Sequence, residues 1–293
     1  MKELVVLSGK GGTGKTTIVA SFAAMGKNKA MVDCDVDAAD LYLLLKPQMK
    51  ETQEFWSGQK AYIEPDKCTR CGLCQEVCRF KAIEDYIVDR VSCEGCGFCS
   101  HICPENAITM RGNLSGQWFV SNTKYGPLVH AKLGIAQENS GRLVAVVRQS
   151  ARLIAEKEGL DFILSDGPPG IGCPVISSLS GVDLALLVTE PTLSGMHDLD
   201  RVLGVCRHFG VPALVCINKY DLNEENTLLI ERNCQELGIE VASKIPFDNV
   251  VTEALIQGLP VVEYSKGGVS KTIEMLWQAV SQKWNGERRK SSE

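Results

Sequence analysis

Short apolar runs that end in glycine-rich or acidic segments recur along this chain, separated by stretches of helical length. The first run, Leu4-Val5-Val6-Leu7, passes through Ser8-Gly9-Lys10-Gly11-Gly12-Thr13-Gly14-Lys15-Thr16-Thr17 into a helical pattern that reaches about Met25. A second, Ala30-Met31-Val32, ends in Asp33-Cys34-Asp35-Val36-Asp37, and a third, Phe162-Ile163-Leu164, ends in Ser165-Asp166-Gly167-Pro168-Pro169-Gly170. Runs of this kind, bounded by turn signals, read as buried strands. Further strands are predicted at 117–121, 143–147, 185–190 and 213–218, helices at 195–209 and 269–284, and a turn at 112–116. Strand, helix, strand units with short connections predict an α/β fold with a largely parallel sheet and helices on both faces, continuing to the region of Pro246.

The order strand, glycine loop, helix gives the G-x-x-x-x-G-K-T spacing of residues 9–16 a physical reading. Glycines leave backbone N–H groups free to turn on an anion at a helix N-terminus. Gly9, Gly11, Gly12 and Gly14, with Lys10, Thr13 and Thr17 among them, therefore form the candidate phosphate site. Lys15 is expected to reach the β- and γ-phosphates, and the Thr16 hydroxyl to complete the shell of a Mg²⁺ ion. Asp35 and Asp166 close their strands where open α/β sheets keep their ligands, and Asp166 is placed to hold a Mg²⁺-bound water. The bland alternatives are a glycine turn that binds nothing and acidic loops that are merely solvated.

Lys10 is a second lysine that an ordinary phosphate loop does not require. With it, K-G-G-T-G-K-T-T resembles the loop of the MinD/ParA/Mrp family of dimeric P-loop ATPases. The resemblance implies a P-loop NTPase fold, ATP and Mg²⁺ as ligands, and slow hydrolysis stimulated by dimerisation or a partner. It implies that Lys10 crosses to the nucleotide of a facing subunit, a second copy or a paralogue, and that Asp35 positions the attacking water. It also gives residues 167–170 the role of a switch that moves when the γ-phosphate leaves. Asn218-Lys219-Tyr220-Asp221 spells the N-K-x-D of GTPases, in which the aspartate faces guanine. MinD-type ATPases place an asparagine at the first position, facing adenine, so the resemblance favours ATP, with Asn218 and Pro246 on the two sides of the base.

Around residues 55–59 the pattern changes. Cys68-x2-Cys71-x2-Cys74-x3-Cys78 is followed by Cys93-x2-Cys96-x2-Cys99-x3-Cys103-Pro104, and each run repeats one half of the other. Two such runs have the spacing of bacterial ferredoxins with two [4Fe–4S] clusters. That resemblance assigns Cys68, Cys71, Cys74 and Cys103 to one cluster, and Cys93, Cys96, Cys99 and Cys78 to the other. A zinc site uses thiolates too, but favours paired Cys-x2-Cys elements. Arg79 follows Cys78 where the ferredoxin pattern has proline, a departure that bears on the geometry of the second cluster. The module, residues 59–112, is read as a small α+β ferredoxin-like domain inserted into a nucleotide-binding domain made of 1–58 and 113–293.

Thirteen cysteines in 293 residues would suggest disulfides in a small secreted chain, whereas in a reducing compartment they suggest metal. A net charge of −5 makes nucleic acid a poor default partner. No apolar stretch has the length of a membrane span and no signal peptide is read, so a cytoplasmic location is expected and a membrane partner is not. Of the remaining cysteines, Cys206, Cys216 and Cys234 read as inert core thiols. Cys173, just after the switch segment, is a candidate for a cluster shared across a dimer, as in related carriers. His130 reads as structural, and 137–141 resembles a stretch of ferredoxin-bearing MinD-type ATPases without an assigned role. Three functions stay open: ATP-dependent cluster carriage or assembly for a protein acceptor, ATP-gated electron transfer to a redox partner, and an interaction switch with structural clusters.

Overall fold

Leu4, Val5, Val6 and Leu7 are all fully buried, so the first strand is covered on both faces. Leu4 and Val6 join the core beneath the first helix, while Val5 and Leu7 join the core on the opposite face. Such two-sided burial is what a near-continuous apolar run demands.

The computed structural model describes residues 1–134, 137 and 140–290. Its strands are β1 (Lys2–Ser8), β2 (Lys29–Asp33), β3 (Gln48–Ile63), β4 (Ile83–Glu84), β5 (Ile87–Val88), β6 (Ile108–Thr123), β7 (Gly126–Leu133), β8 (Phe162–Pro169), β9 (Leu184–Thr189), β10 (Ala213–Asn218) and β11 (Glu240–Ile245). The helices are α1 (Lys15–Met25), α2 (Leu41–Leu45), α3 (Leu73–Glu76), α4 (Phe98–Ile102), α5 (Ser140–Glu158), α6 (Cys173–Leu179), α7 (Leu193–His208), α8 (Glu224–Glu236), α9 (Asn249–Ile256), α10 (Val261–Tyr264) and α11 (Gly268–Lys290). The chain divides into two compact units. One comprises the described residues of 1–52, 118–132 and 140–293; the other comprises those of 53–117 and 133–139.

In the larger unit the sheet order is β11-β10-β9-β1-β8-β2-β7, followed by the parts of β6 and β3 that belong to it. From β11 to β7 the neighbouring strands run parallel. The register sets Asp33 opposite Asp166, side by side at the carboxyl ends of β2 and β8. β1 lies between β8 and β9, and the loop that follows it opens at that same end.

Two local expectations are corrected. Residues 143–147 are helical, part of α5, not a strand. Their apolar run is one stripe of a long amphipathic helix, whose buried positions continue through Arg148, Ala151 and Ala155 at helical spacing. Residues 112–116 lie inside β6 rather than in a turn, because Asn113 and Ser115 are buried and bonded within the smaller unit. Of the stretch 137–141, Glu138 and Asn139 lie outside the described residues.

Candidate active site

The loop after β1 is held open by its glycines. Gly12 and Gly14 take φ of +77° and +90°, conformations that cost an L side chain energy. A Cβ on Gly9 would lie 2.3 Å from the Cβ of Asp198, and one on Gly14 would lie 2.5 Å from Asn218 Nδ2. Ser8 Oγ donates to Lys10 O at 2.6 Å, and Gly170 N donates to Ser8 O at 2.9 Å, tying the loop to the segment after β8. Gly14 stands at the N-cap of α1, which has no side-chain cap and no acidic residue in its first turn. Its first N–H groups and the positive end of its dipole are therefore left for an anion.

Lys15 is buried behind the loop, and its charge acts on both Asp35 and Asp166. Asp166 is 1% exposed, and burial pushes its carboxyl up to about 7, against the pull of Lys15 and the Thr16 hydroxyl. Its Oδ1 is buried with no partner among the described residues. Asp33 is raised well above the carboxylate range by burial and by Asp166 beside it, but it works for the backbone. Its oxygens accept from Asp35 N at 3.1 Å and Leu41 N at 3.2 Å, fixing the turn that presents Asp35. Asp35 is half-buried and raised by burial, with Lys15 opposing; Asp37 is exposed.

The structure brings Asn218 and Pro246 to one cavity of about 190 Å³, lined also by Gly12, Gly14, Ile18 and Phe247. Asn218 Nδ2 donates to Thr13 O at 2.8 Å, tying this cavity to the glycine loop. Asp221 does not line it. Its Oδ1 accepts from Phe247 N at 2.7 Å, so the carboxylate that spells a guanine reader anchors the loop on the far side of the pocket.

Glu190 belongs to the site without any signal in the sequence. Its Oε2 lies 3.2 Å from Lys10 Nζ, and its Oε1 accepts from Lys219 Nζ at 2.6 Å. Burial would raise this carboxyl, yet the two lysines hold it below its ordinary value. Lys10 also donates to Thr192 Oγ1 at 3.2 Å.

The family model for the CobQ/CobB/MinD/ParA nucleotide-binding domain matches residues 4–261. The chain belongs to that family. An uncharacterized protein of Methanocaldococcus jannaschii is 32% identical over 283 residues, which is 96% of each chain. The septum site-determining protein MinD of Pyrococcus horikoshii, solved with Mg-ADP, superposes with a TM-score of 0.59 at 21% identity, covering 95% of both chains. MinD in the MinC:MinD complex of Aquifex aeolicus gives 0.57 at 20% identity over 96% of both. As a MinD/ParA-type protein the chain is an ATPase.

In the smaller unit the eight cysteines of the two runs are free thiols and sort into two sets. Cys68, Cys71, Cys74 and Cys103 line one cavity. Cys78, Cys93, Cys96 and Cys99 line a second. The two halves repeat in detail. Gly72 and Gly97, both at positive φ, open α3 and α4; Ala82 N donates to Cys78 Sγ at 3.3 Å, and Ala107 N to Cys103 Sγ at 3.4 Å. Among the described residues no three His, Cys, Asp or Glu converge tightly enough for a single metal ion. A [4Fe–4S] cubane alternates four irons with four sulfides at its corners and takes one thiolate per iron, so it asks for four cysteines around one cavity rather than several ligands on one ion.

Cys173 is exposed at the head of α6, against Gly141 of α5. Burial raises Cys206 and Cys234 to about 11 and Cys216 to about 12, which marks them as inert. His130 is 8% exposed, stacked 5.0 Å from Phe119 and 6.0 Å from Tyr42, with Nε2 3.3 Å from Ser121 Oγ. Burial lowers its pKa, as expected of a neutral packing residue.

Proposed function

We propose that this ATPase is a dimeric switch whose nucleotide state governs electron delivery to a partner protein from two resident [4Fe–4S] clusters. The observation that carries the reading is the sorting of the eight cysteines around two cavities, three from one run and one from the other in each. Six of these cysteines, all but Cys71 and Cys96, help form the core of their unit, together with Ala61, Ile63, Ala82, Ile83 and Ile108. With so few apolar side chains, clusters held there would be part of the fold rather than cargo.

At the other site, backbone N–H groups of residues 9–16 and Lys15 would bind the phosphates of ATP. The residues fit a Mg²⁺ ion, because Asp166 Oδ1 is buried without a partner among the described residues and Thr16 adjoins the same carboxylate. Bound there, the ion would neutralise charge on the phosphates. Asp35 would accept the hydrogen bond that orients the attacking water, and Lys10 of the partner subunit would balance charge in the transition state. In the single chain Lys10 is paired with Glu190, so dimer formation would have to transfer it. Asn218 and the loop at Pro246 would flank adenine. Asp221, committed to Phe247 N and not lining the cavity, is not placed to read guanine as the N-K-x-D motif does, which supports ATP over GTP.

A second reading, cluster carriage across the dimer, draws on the exposed thiol of Cys173 beside the switch segment 167–170. One experiment separates the two. Anaerobically purified protein is assayed for iron, sulfide and ATP hydrolysis, then reduced with dithionite, freed of the excess, and offered an apo-acceptor or an electron acceptor. Resident clusters predict about eight irons per chain that stay through many turnovers, while electrons pass to the acceptor in an ATP-dependent way. Iron that leaves with the acceptor, and stays put in Cys173→Ala, overturns the electron-delivery reading. Lys10→Ala is expected to lower hydrolysis by about 100-fold or more.

A further inference from the structure

The two cysteine halves are a built-in comparison, because residues of one correspond to residues of the other at an offset of 25 (Cys68 to Cys93). The backbone repeats across that offset. Arg70 and Gly95, Gly72 and Gly97, and Lys81 and Asn106 all have positive φ, and Lys81 N and Asn106 N donate to the carbonyls of Cys78 and Cys103 at 3.0 and 3.1 Å. The residues beside the fourth thiolate of each set do not repeat. Cys103 is followed by Pro104 and Glu105, and Glu105 lines the first cavity. Cys78 is followed by Arg79 and Phe80, and both line the second. The second site has another cation as well, for Lys60 Nζ donates to the carbonyl of its ligand-bearing residue Cys93. Glu94 also lines that cavity and offsets one of the two charges.

Among the lining side chains the first site therefore carries one negative charge and the second a balanced pair, Arg79 with Glu94, to which Lys60 at the Cys93 carbonyl adds a cation. An electron added to an anionic cluster is stabilised by nearby cations and opposed by nearby carboxylates. The charge difference favours the second site.

Resting on the two-cluster reading above, we propose that the sites are poised at different reduction potentials. The site of Cys78, Cys93, Cys96 and Cys99 is the higher, and Arg79 and Lys60 raise it while Glu105 lowers the other. Arg79, standing where the ferredoxin pattern has proline, is then a tuning residue rather than a flaw in the motif. The pair forms a step down which an electron supplied by an external low-potential donor settles at the second site.

The test is an EPR-monitored potentiometric titration of the anaerobically purified full chain. Two one-electron waves are expected. Arg79→Glu and Lys60→Gln should each move only the upper wave, to lower potential, and Glu105→Gln should move only the lower wave, upward. Two waves at one potential, or Arg79→Glu acting on the lower wave or on neither, overturn the proposal while leaving two clusters in place. Iron well short of about eight atoms per chain overturns the two-cluster reading and this one together. If Arg79→Glu does not fold, Lys60→Gln decides by the same criterion.

Discussion

Asp166 shows what a single residue of this site costs and provides. Its carboxyl stands at about 7 because it is buried, although Lys15 and Thr16 draw it down. A carboxyl whose folded value exceeds its unfolded value binds more protons folded than unfolded between the two. Stability of the nucleotide-free protein is therefore expected to fall as pH rises from about 4 through about 7. Thermal melts across that range, repeated with Mg²⁺ and ADP, check it; the ligands should remove the slope, since they require the ionised form. Asp166→Asn is expected to raise the melting temperature without ligand by ~2–5 °C while lowering hydrolysis about 100-fold or more. Asp221 makes the opposite point. Asp221→Ala should raise KM for ATP several-fold by releasing Phe247, and should leave the preference for ATP over GTP unchanged in competition assays. Lys15, Thr16, Asp35 and Asp166 are legible in the sequence because each sits at a fixed offset in a local motif. Glu190 and the partner of Asp221 are not, because their contacts join residues 180 and 26 positions apart that no periodicity links.

Among the elements, β1, α1 and β8 announce themselves through continuous apolar runs and glycine punctuation. β3 does not. It runs 16 residues, but most of its first half is exposed and polar, an edge strand whose sequence carries no buried face to read. α5 reads as a strand at 143–147 because a short apolar run fits strand and helix alike until the buried positions beyond it are counted. The cysteine repeat is legible in ligand spacing, whereas its handling of backbone strain is not. Arg70 and Gly95 share a left-handed conformation, yet a Cβ on Gly95 would sit 2.0 Å from Gln59 O. Gly95→Ala should therefore destabilise the smaller unit by about 2 kcal/mol or more and cut iron content by roughly half. Arg70→Gly, at the equivalent place, should leave iron unchanged. Metal analysis and melting curves on both variants check the contrast.

For the whole molecule, the coupling of the two units is the property to measure. If nucleotide state governs the clusters, removing them by chelation should change ATP turnover several-fold; an unchanged rate would make the units independent. The crossed cysteine sets give a second expectation. Cys78→Ser and Cys96→Ser should abolish the same EPR signal, because they line one cavity, while Cys71→Ser, from the same run as Cys78, should abolish the other. The exchange of a thiolate between halves also bears on how such a chain can arise and be divided. On the two-cluster reading, a single half would be a three-legged fragment whose missing leg comes from another half, so a lone copy of the 25-residue repeat would have value only alongside a second copy. The smallest useful ancestor would already be a pair. Any cut, circular rearrangement or exon-like shuffle that separates the two runs would disable both at once.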